Sequence, residues 1–317
     1  MSENQERGEP SPHLQDAIRQ NQLESQSTQY EQLTDAVPEQ GLYHIVGGYL
    51  DDNGKVHSEV HLRSMSGDEE DLLGNRNIPI MDRLQGILKN CTVRIGDITD
   101  RGEIASAIDR LPIGSRMHLL VCLRRTTHWR RTKDVFDMEV KCPNDECGKK
   151  SSCAVDLSTI ETYEMPNPGK REFTVHLTDA GEDVVWRVAS FSREKVLDKV
   201  TDHDNTSGLT YAIITRLVRR GDEDVRLSID DFLTPDQKKL KMSAKATQLF
   251  QWAKKLSVND REELRESFLD EEPGIESTIE IDCPKCGYEF ESVLGVFQEG
   301  FWFPTVTSKR SNRRSST

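Results

Sequence analysis

The stretch 282-DCPKCGYEF-290 places Cys283 and Cys286 two residues apart, the C-x2-C spacing that is typical of half a tetrahedral zinc site. This spacing lets both sulfur atoms turn toward one ion. Gly287, directly after the second cysteine, permits a backbone with positive φ, so that amide groups can approach the thiolates. The stretch predicts one zinc knuckle, which needs a second pair of ligands from elsewhere in the chain.

A second knuckle is predicted at 141-KCPNDECGKK-150, which also begins with Cys-Pro and ends with Cys-Gly. Four residues rather than two separate Cys142 from Cys147, and we interpret this as a two-residue insertion into the same knuckle. Cys142, Cys147, Cys283 and Cys286 would then supply the four thiolates of a closed structural Zn²⁺ site, with iron as a less favoured metal. Cys153 is an alternative ligand in the longer knuckle. The lysines that could offset the negative charge of such a site are Lys141, Lys149, Lys150 and Lys285.

The separation of the two knuckles is unusual, because 135 residues lie between Cys147 and Cys283. Zinc ribbons commonly place their knuckles about 15–20 residues apart. A shared metal would tie the middle of the chain to its C-terminal part, and residues 154–275 would leave the site and return to it. A closed four-thiolate site has no open coordination position, which argues against metal catalysis.

Composition divides the chain into three parts. Residues 1–40 are polar and poor in large apolar side chains, so we expect them to be disordered. Residues 308–317 form a short basic tail. Residues 41–307 carry the apolar runs of a core and are predicted to be one zinc-clamped domain. Within it, Cys91 and Cys122 lie in apolar runs and are expected to be buried small hydrophobes.

The net charge of −13 opposes nonspecific binding of nucleic acid, because phosphate neutralisation needs a surplus of lysine and arginine. No apolar run approaches the length of a membrane span, and the first thirty residues show no secretory signal. We therefore expect a protein that is cytoplasmic when synthesised. Its cysteines should be reduced, and clustered cysteines are then metal ligands before they are disulfides.

Strand and helix patterns are mixed between residues 41 and 307 without a regular βαβ repeat, which favours an α+β fold. The predicted strands cover 42–50, 56–62, 116–127, 172–177 and 184–189. The predicted helices cover 66–73, 79–91, 208–220, 235–256 and 259–269. Ser66 and Glu69 form a capping box, and Thr234, Pro235 and Gln237 are predicted to begin the longest helix.

Motifs of catalysis are missing from the sequence. It contains no G-x-x-x-x-G-K-[ST], no G-x-S-x-G and no H-E-x-x-H, and no nucleophile stands beside a base in a recognisable pattern. The eight histidines are scattered. The sequence predicts a protein that is not an enzyme and has no small-molecule substrate.

Two stretches are predicted to contact partners. The basic and aromatic stretch 124-RRTTHWRRTK-133 could hold a nucleic-acid strand by charge and stacking, but the acidic chain favours an interface with an acidic protein partner. The aromatic segment 293-VLGVFQEGFWFP-304 either covers the core or anchors a partner. The interface candidates are Arg124, Arg125, Trp129, Arg130, Arg131, Phe301, Trp302 and Phe303.

The order of these features resembles one known family. An acidic helix start follows a strand. Then come 119-LLVCLRRTT-127, the first knuckle, a predicted hairpin of the strands 172–177 and 184–189, the long helices, Glu272-Pro273-Gly274, the second knuckle and the closing Phe-Trp-Phe-Pro. Over residues 41–304 this is similar to the baseplate (hub-associated) protein family of contractile-tailed bacteriophages and related contractile injection systems. The longer first knuckle departs from the pattern.

The resemblance implies a non-enzymatic role as a structural part or assembly factor of the tail baseplate or its hub, with other baseplate or tail proteins as partners. The alternative from a different class is a zinc-ribbon nucleic-acid-binding or regulatory protein that uses residues 124–133.

Overall fold

The computed structural model describes residues 41–190, 208–232 and 242–302, apart from the side chains of residues 130–132, 229 and 299. The predictions for residues 1–40 and for the basic tail lie outside the described residues. Within the described ranges, the helices are all too short or too polar to cross a membrane. The described chain mixes helices and strands, as an α+β fold requires.

One hydrophobic core is built mainly from the first part of the chain. A three-stranded antiparallel sheet, whose second strand lies between the first and the third, and four helices contribute most of its residues. Its elements are β1 (Leu42–Leu50), β2 (Val56–Leu62), α1 (Gly67–Gly74), α2 (Ile80–Cys91), β3 (Thr92–Ile95), α3 (Arg101–Arg110) and α4 (Ile113–Thr132). The predicted strands β1 and β2 and the helices α1 and α2 are confirmed, and Cys91 and Cys122 are buried in this core.

The predicted strand over 116–127 is wrong, because these residues belong to the twenty-residue helix α4. A short apolar run has no clear period, so pattern alone does not separate a buried strand from a buried helix. Leu119 to Arg124 are all buried, so several faces of the helix lie in the core. The helix begins after Pro112 and ends at Lys133, whose φ is 51°. Between them no proline interrupts good helix formers.

A second hydrophobic core forms between residues 165 and 268. It lies between three helices and a four-stranded antiparallel sheet, whose strands neighbour one another in the order of the chain. Its elements are β7 (Glu172–Leu177), β8 (Glu182–Arg187), α5 (Gly208–Arg216), β9 (Leu217–Arg220), β10 (Glu223–Asp224), a 3-10 turn (Ile229–Phe232), α6 (Ala244–Lys255) and α7 (Val258–Glu271). The predicted hairpin is confirmed, and its second strand begins at Glu182.

Two predicted helices in this core have different limits. The helix predicted over 208–220 ends at Arg216, and the next four residues form β9, where Leu217 pairs with Trp186 of β8. Of the helix predicted over 235–256, the described residues contain α6, which begins at Ala244, where the Ser243 hydroxyl accepts the N–H of Ala246 at 3.1 Å. The predicted start at Thr234, Pro235 and Gln237 lies outside the described residues. The helix predicted over 259–269 is confirmed as α7.

The capping box of α1 is confirmed, and it includes an ion pair that the sequence pattern does not show. The Glu69 carboxylate accepts the backbone N–H of Ser66 at 2.8 Å and two N–H groups of Arg63 at 2.8 and 3.0 Å. The hydrogen bonds from Arg63 lower the pKa of Glu69 to about 2. This carboxylate is almost fully buried, so its charge stabilises the helix start.

We expect Glu69→Gln to lower the free energy of unfolding by about 1–2 kcal/mol at neutral pH, because glutamine keeps the cap but loses the charged pair. The folded-state pKa of Glu69 is lowered from its ordinary 4.5 to about 2, so its contribution is present above pH 4.5 and is lost as the pH falls toward 2. Urea unfolding of both proteins from pH 2 to 7 tests this. A difference that does not shrink toward pH 2 would contradict it.

Candidate metal centre

Both predicted knuckles are the loops of two-stranded antiparallel hairpins. The first hairpin pairs β4 (Val135–Lys141) with β5 (Lys150–Asp156), and the pair Lys141–Lys150 closes the loop of residues 142–149. The second pairs β12 (Thr278–Asp282) with β13 (Glu289–Val293), and the pair Asp282–Glu289 closes residues 283–288. The first loop is two residues longer, which agrees with an insertion into a common knuckle.

The backbone of the two loops follows the same plan. The N–H of Cys142 donates to Lys149 O at 3.0 Å, and that of Cys283 donates to Tyr288 O at 2.9 Å. Gly148 and Gly287, each directly after the second cysteine, have φ of 55° and 68°. Glycine adopts this left-handed region without the steric cost that a Cβ brings, so both loops can turn back at this point.

The four cysteine sulfur atoms meet at the ends of these loops, all within 4.8 Å of one another. The Sγ atoms of Cys142 and Cys286 are 3.8 Å apart, and those of Cys147 and Cys283 are 4.0 Å apart. A tetrahedral ion with metal–sulfur bonds of about 2.3 Å separates its sulfur ligands by about 3.8 Å, so the group has the size that such an ion requires. Cys153, on β5, is half-buried and is not a member of this group.

The backbone of the second loop favours the thiolate of Cys283, whereas burial raises the pKa of the Cys142 thiol to about 12. The backbone N–H groups of Lys285 and Cys286 hydrogen-bond the Cys283 sulfur and lower the pKa of this thiol to about 7. Cys142 and Cys283 are buried, whereas Cys286 is exposed, so the cluster lies at the surface. The four flanking lysines are all exposed, where their charge can offset that of four thiolates.

Each hairpin is anchored to the first core by its inner face. On the first, Phe136, Met138 and Val140 alternate inward along β4. On the second, Ile281 is buried, and Phe290, its partner on β13, packs against the same core. A third pair, β6 (Thr162–Tyr163) with β11 (Gly274–Ile275), joins the two ends of the intervening segment. The cluster is therefore held on both sides by one core.

Three of the predicted interface residues lie inside the protein. Arg124, Phe301 and Trp302 are each about 1% exposed. The guanidinium carbon of Arg124 lies 4.8 Å from the ring centre of Phe136 and 5.0 Å from that of Phe301. Because α4 is a helix rather than a strand, Arg124 faces the core. The aromatic residues belong to α8 (Glu299–Trp302), which covers it.

The other interface candidates divide into two groups. Arg125 is paired with Asp134, with its Nε 2.6 Å from a carboxylate oxygen, and Trp129 is half-buried. With Arg124 buried as well, two of the four arginines of the stretch 124–133 are engaged inside the fold. The side chains of Arg130 and Arg131, and all of Phe303, lie outside what the structure describes.

Fold and site together define an α+β protein with a four-cysteine cluster assembled from two distant hairpin loops. A family model described as T4 bacteriophage base plate protein matches residues 47–302, about four fifths of the chain. The chain therefore belongs to this family, which confirms the resemblance found in the sequence. Membership supports a role as a structural component of the phage baseplate. Searches of curated proteins and of solved structures find no significant match.

Proposed function

We propose that the protein is a non-enzymatic structural or assembly component of a contractile tail baseplate or its hub, in a phage or a related contractile injection system. A structural Zn²⁺ ion on Cys142, Cys147, Cys283 and Cys286 stabilises it. The observation that carries the metal proposal is the convergence of two hairpin loops, 135 residues apart, on one tetrahedron-sized group of thiols. Family membership carries the baseplate proposal.

Zinc suits the cluster for chemical reasons. Four thiols without a histidine or carboxylate form the Cys₄ donor set of structural zinc sites. All four positions of the ion would be filled by protein, which leaves none for substrate or water. In small zinc peptides this kind of binding contributes apparent free energies of about 10–16 kcal/mol, so one ion can hold together parts of a chain that share few other contacts.

The clamp would act on the segment between the knuckles. That segment contains the second hydrophobic core, with Phe173, Trp186 and Leu264 among its buried residues. Its entrance and exit are joined by the short β6–β11 pair. A metal on the two hairpin loops would fix the chain on both sides of this segment to the first core, so that residues 154–275 leave the site and return to it. A rigid body of this kind is what a multi-protein assembly needs from a scaffold part.

The proposal predicts partners among other baseplate or tail proteins and incorporation into the tail. The direct test is complementation of a phage or injection system whose own copy of this gene is deleted. We expect tails without complete baseplates in its absence, complete baseplates with the wild-type chain, and incomplete ones with Cys286→Ser. Cys153→Ser is the matched control, because Cys153 lies outside the cluster, and it should restore assembly fully.

Electron microscopy of the particles and mass spectrometry of their composition are the measurements. Complete, contractile tails in the absence of the chain would contradict a structural or assembly role. If Cys286→Ser restores complete tails and the deletion alone does not form them, the baseplate role stands and the need for the metal is contradicted.

A further inference from the structure

Arg124 is an unusual core residue, because its guanidinium is buried and forms no ion pair with any acidic residue that the structure describes. Among the described residues its Nε and Nη1 atoms are buried and have no hydrogen-bond partner. Burial lowers the pKa of this guanidinium to about 10, and the exposed Asp137 only partly opposes this shift. Taking an ion out of water without a hydrogen-bonded counter-ion is costly, and the two facing aromatic rings offset only part of the cost.

The single-turn helix α8 (Glu299–Trp302), which we name the strap, packs on Arg124 through the ring of Phe301. One turn of helix is not stable by itself, so the strap depends on tertiary contacts. The Phe301 ring lies over Arg124 and edge-on to Phe136, with ring centres 5.1 Å apart. The Trp302 indole N–H donates to Val296 O at 2.9 Å, and Trp302 O accepts from the His128 ring at 3.1 Å.

The free energy of closing the strap therefore has two opposing contributions. Closing the strap buries Phe301 and Trp302, which is favourable, and it dehydrates the Arg124 guanidinium, which is unfavourable. Opening the strap returns the charge to water and recovers that cost. With an apolar residue at position 124, opening the strap would return no charge to water and would recover no dehydration cost. The buried charge thus lowers the free energy of opening at this one place in the core.

We propose that α8 is a strap that opens locally, and that the buried charge of Arg124 allows this opening without unfolding of the core beneath it. Opening removes the Phe301 ring from both Arg124 and Phe136. None of the contacts of the strap described above involves a cysteine of the cluster, so its opening does not rest on the metal proposal.

The Trp302 indole N–H is a single-site reporter of the closed strap, and hydrogen exchange of the tryptophan indoles by NMR measures its opening. The chain has four tryptophans, so their indole signals are few. Trp186, whose indole donates to Ser267 in the second core, is an internal control. In the wild-type protein we expect Trp302 to exchange by local opening, at a rate that depends little on low denaturant concentrations.

Arg124→Met removes the buried charge and keeps the length of the side chain. We expect it to slow exchange of the Trp302 indole by about tenfold or more and to leave Trp186 unchanged, because an apolar residue lets the strap close without dehydrating an ion. The matched control is Arg125→Met, which removes the neighbouring arginine that is already paired with Asp134. It should not slow Trp302.

Faster exchange of Trp302 in Arg124→Met would overturn the proposal, since Arg124 would then hold the strap closed. The proposal would also be overturned if the exchange rate of the Trp302 indole in the wild-type protein rises with denaturant concentration as steeply as that of the slowest amides of α4. The strap would then open only when the whole core unfolds. This second result is obtained on the wild-type protein and does not require that the variant folds.

Discussion

Replacing Cys283 with serine is expected to abolish stoichiometric metal binding and to lower the free energy of unfolding by more than about 3 kcal/mol. Cys283 is buried, its sulfur lies 4.0 Å from that of Cys147, and backbone N–H groups already stabilise its thiolate. A serine hydroxyl does not ionise at neutral pH and is a weak zinc ligand. The ion would lose one of four bonds, and the two hairpin loops would lose their link.

Equilibrium unfolding in urea, followed by circular dichroism, measures the loss, and a chelator added to the wild-type protein should reproduce it. Cys153→Ser is the control for removing a nearby half-buried thiol that is outside the cluster, and it should change stability by less than about 1 kcal/mol. Equal stability of the Cys283→Ser and wild-type proteins, each with zinc present, would show that the cluster does not clamp the fold.

Gly114→Ala is expected to destabilise the protein by about 3 kcal/mol or more, although alanine is normally the better helix former. Gly114 lies in the first turn of α4, against the chain that enters β11 and the second knuckle. A Cβ at Gly114 would overlap the carbonyl oxygen of Pro273 and the Cα of Gly274. Both are backbone atoms, so a side-chain rotation cannot relieve the overlap.

The matched control is Gly74→Ala at the end of α1, where an added Cβ meets no other atom within 4 Å. That change should leave stability unchanged or raise it by up to about 1 kcal/mol. Thermal unfolding of both variants compares them directly. A shift of β11 would also move the second knuckle, which follows it in the chain, so we expect Gly114→Ala to weaken metal binding. A stable Gly114→Ala protein would mean that α4 and β11 do not pack as described.

The parts of this fold that could be predicted from the sequence have local causes. The Cys-Pro and Cys-Gly pairs of both knuckles follow from the chemistry of a thiolate loop, and both loops are found at hairpin ends. The capping box of Ser66 and Glu69 spans only four residues. Pro273 and Gly274 directly follow Glu272, the C-cap of α7. In each case, neighbours in the sequence determine the structure.

The parts that could not be predicted depend on residues far apart in the chain. The apolar run in α4 has no period, because the core surrounds several faces of the helix. Leu217 leaves the helix to pair with β8, a tertiary contact that overrides local preference. Arg124 was expected at the surface because charged residues are rarely buried alone. Its burial depends on Phe136 and Phe301, which the sequence does not bring together.

The central claim is that two distant knuckles share one zinc ion. Native mass spectrometry of the wild-type protein, before and after treatment with a strong chelator, tests it most directly. We expect one zinc per chain, lost with the chelator together with the low charge states of the folded protein. A chain that carries no metal, or that keeps its folded charge states when the metal is removed, would contradict the claim.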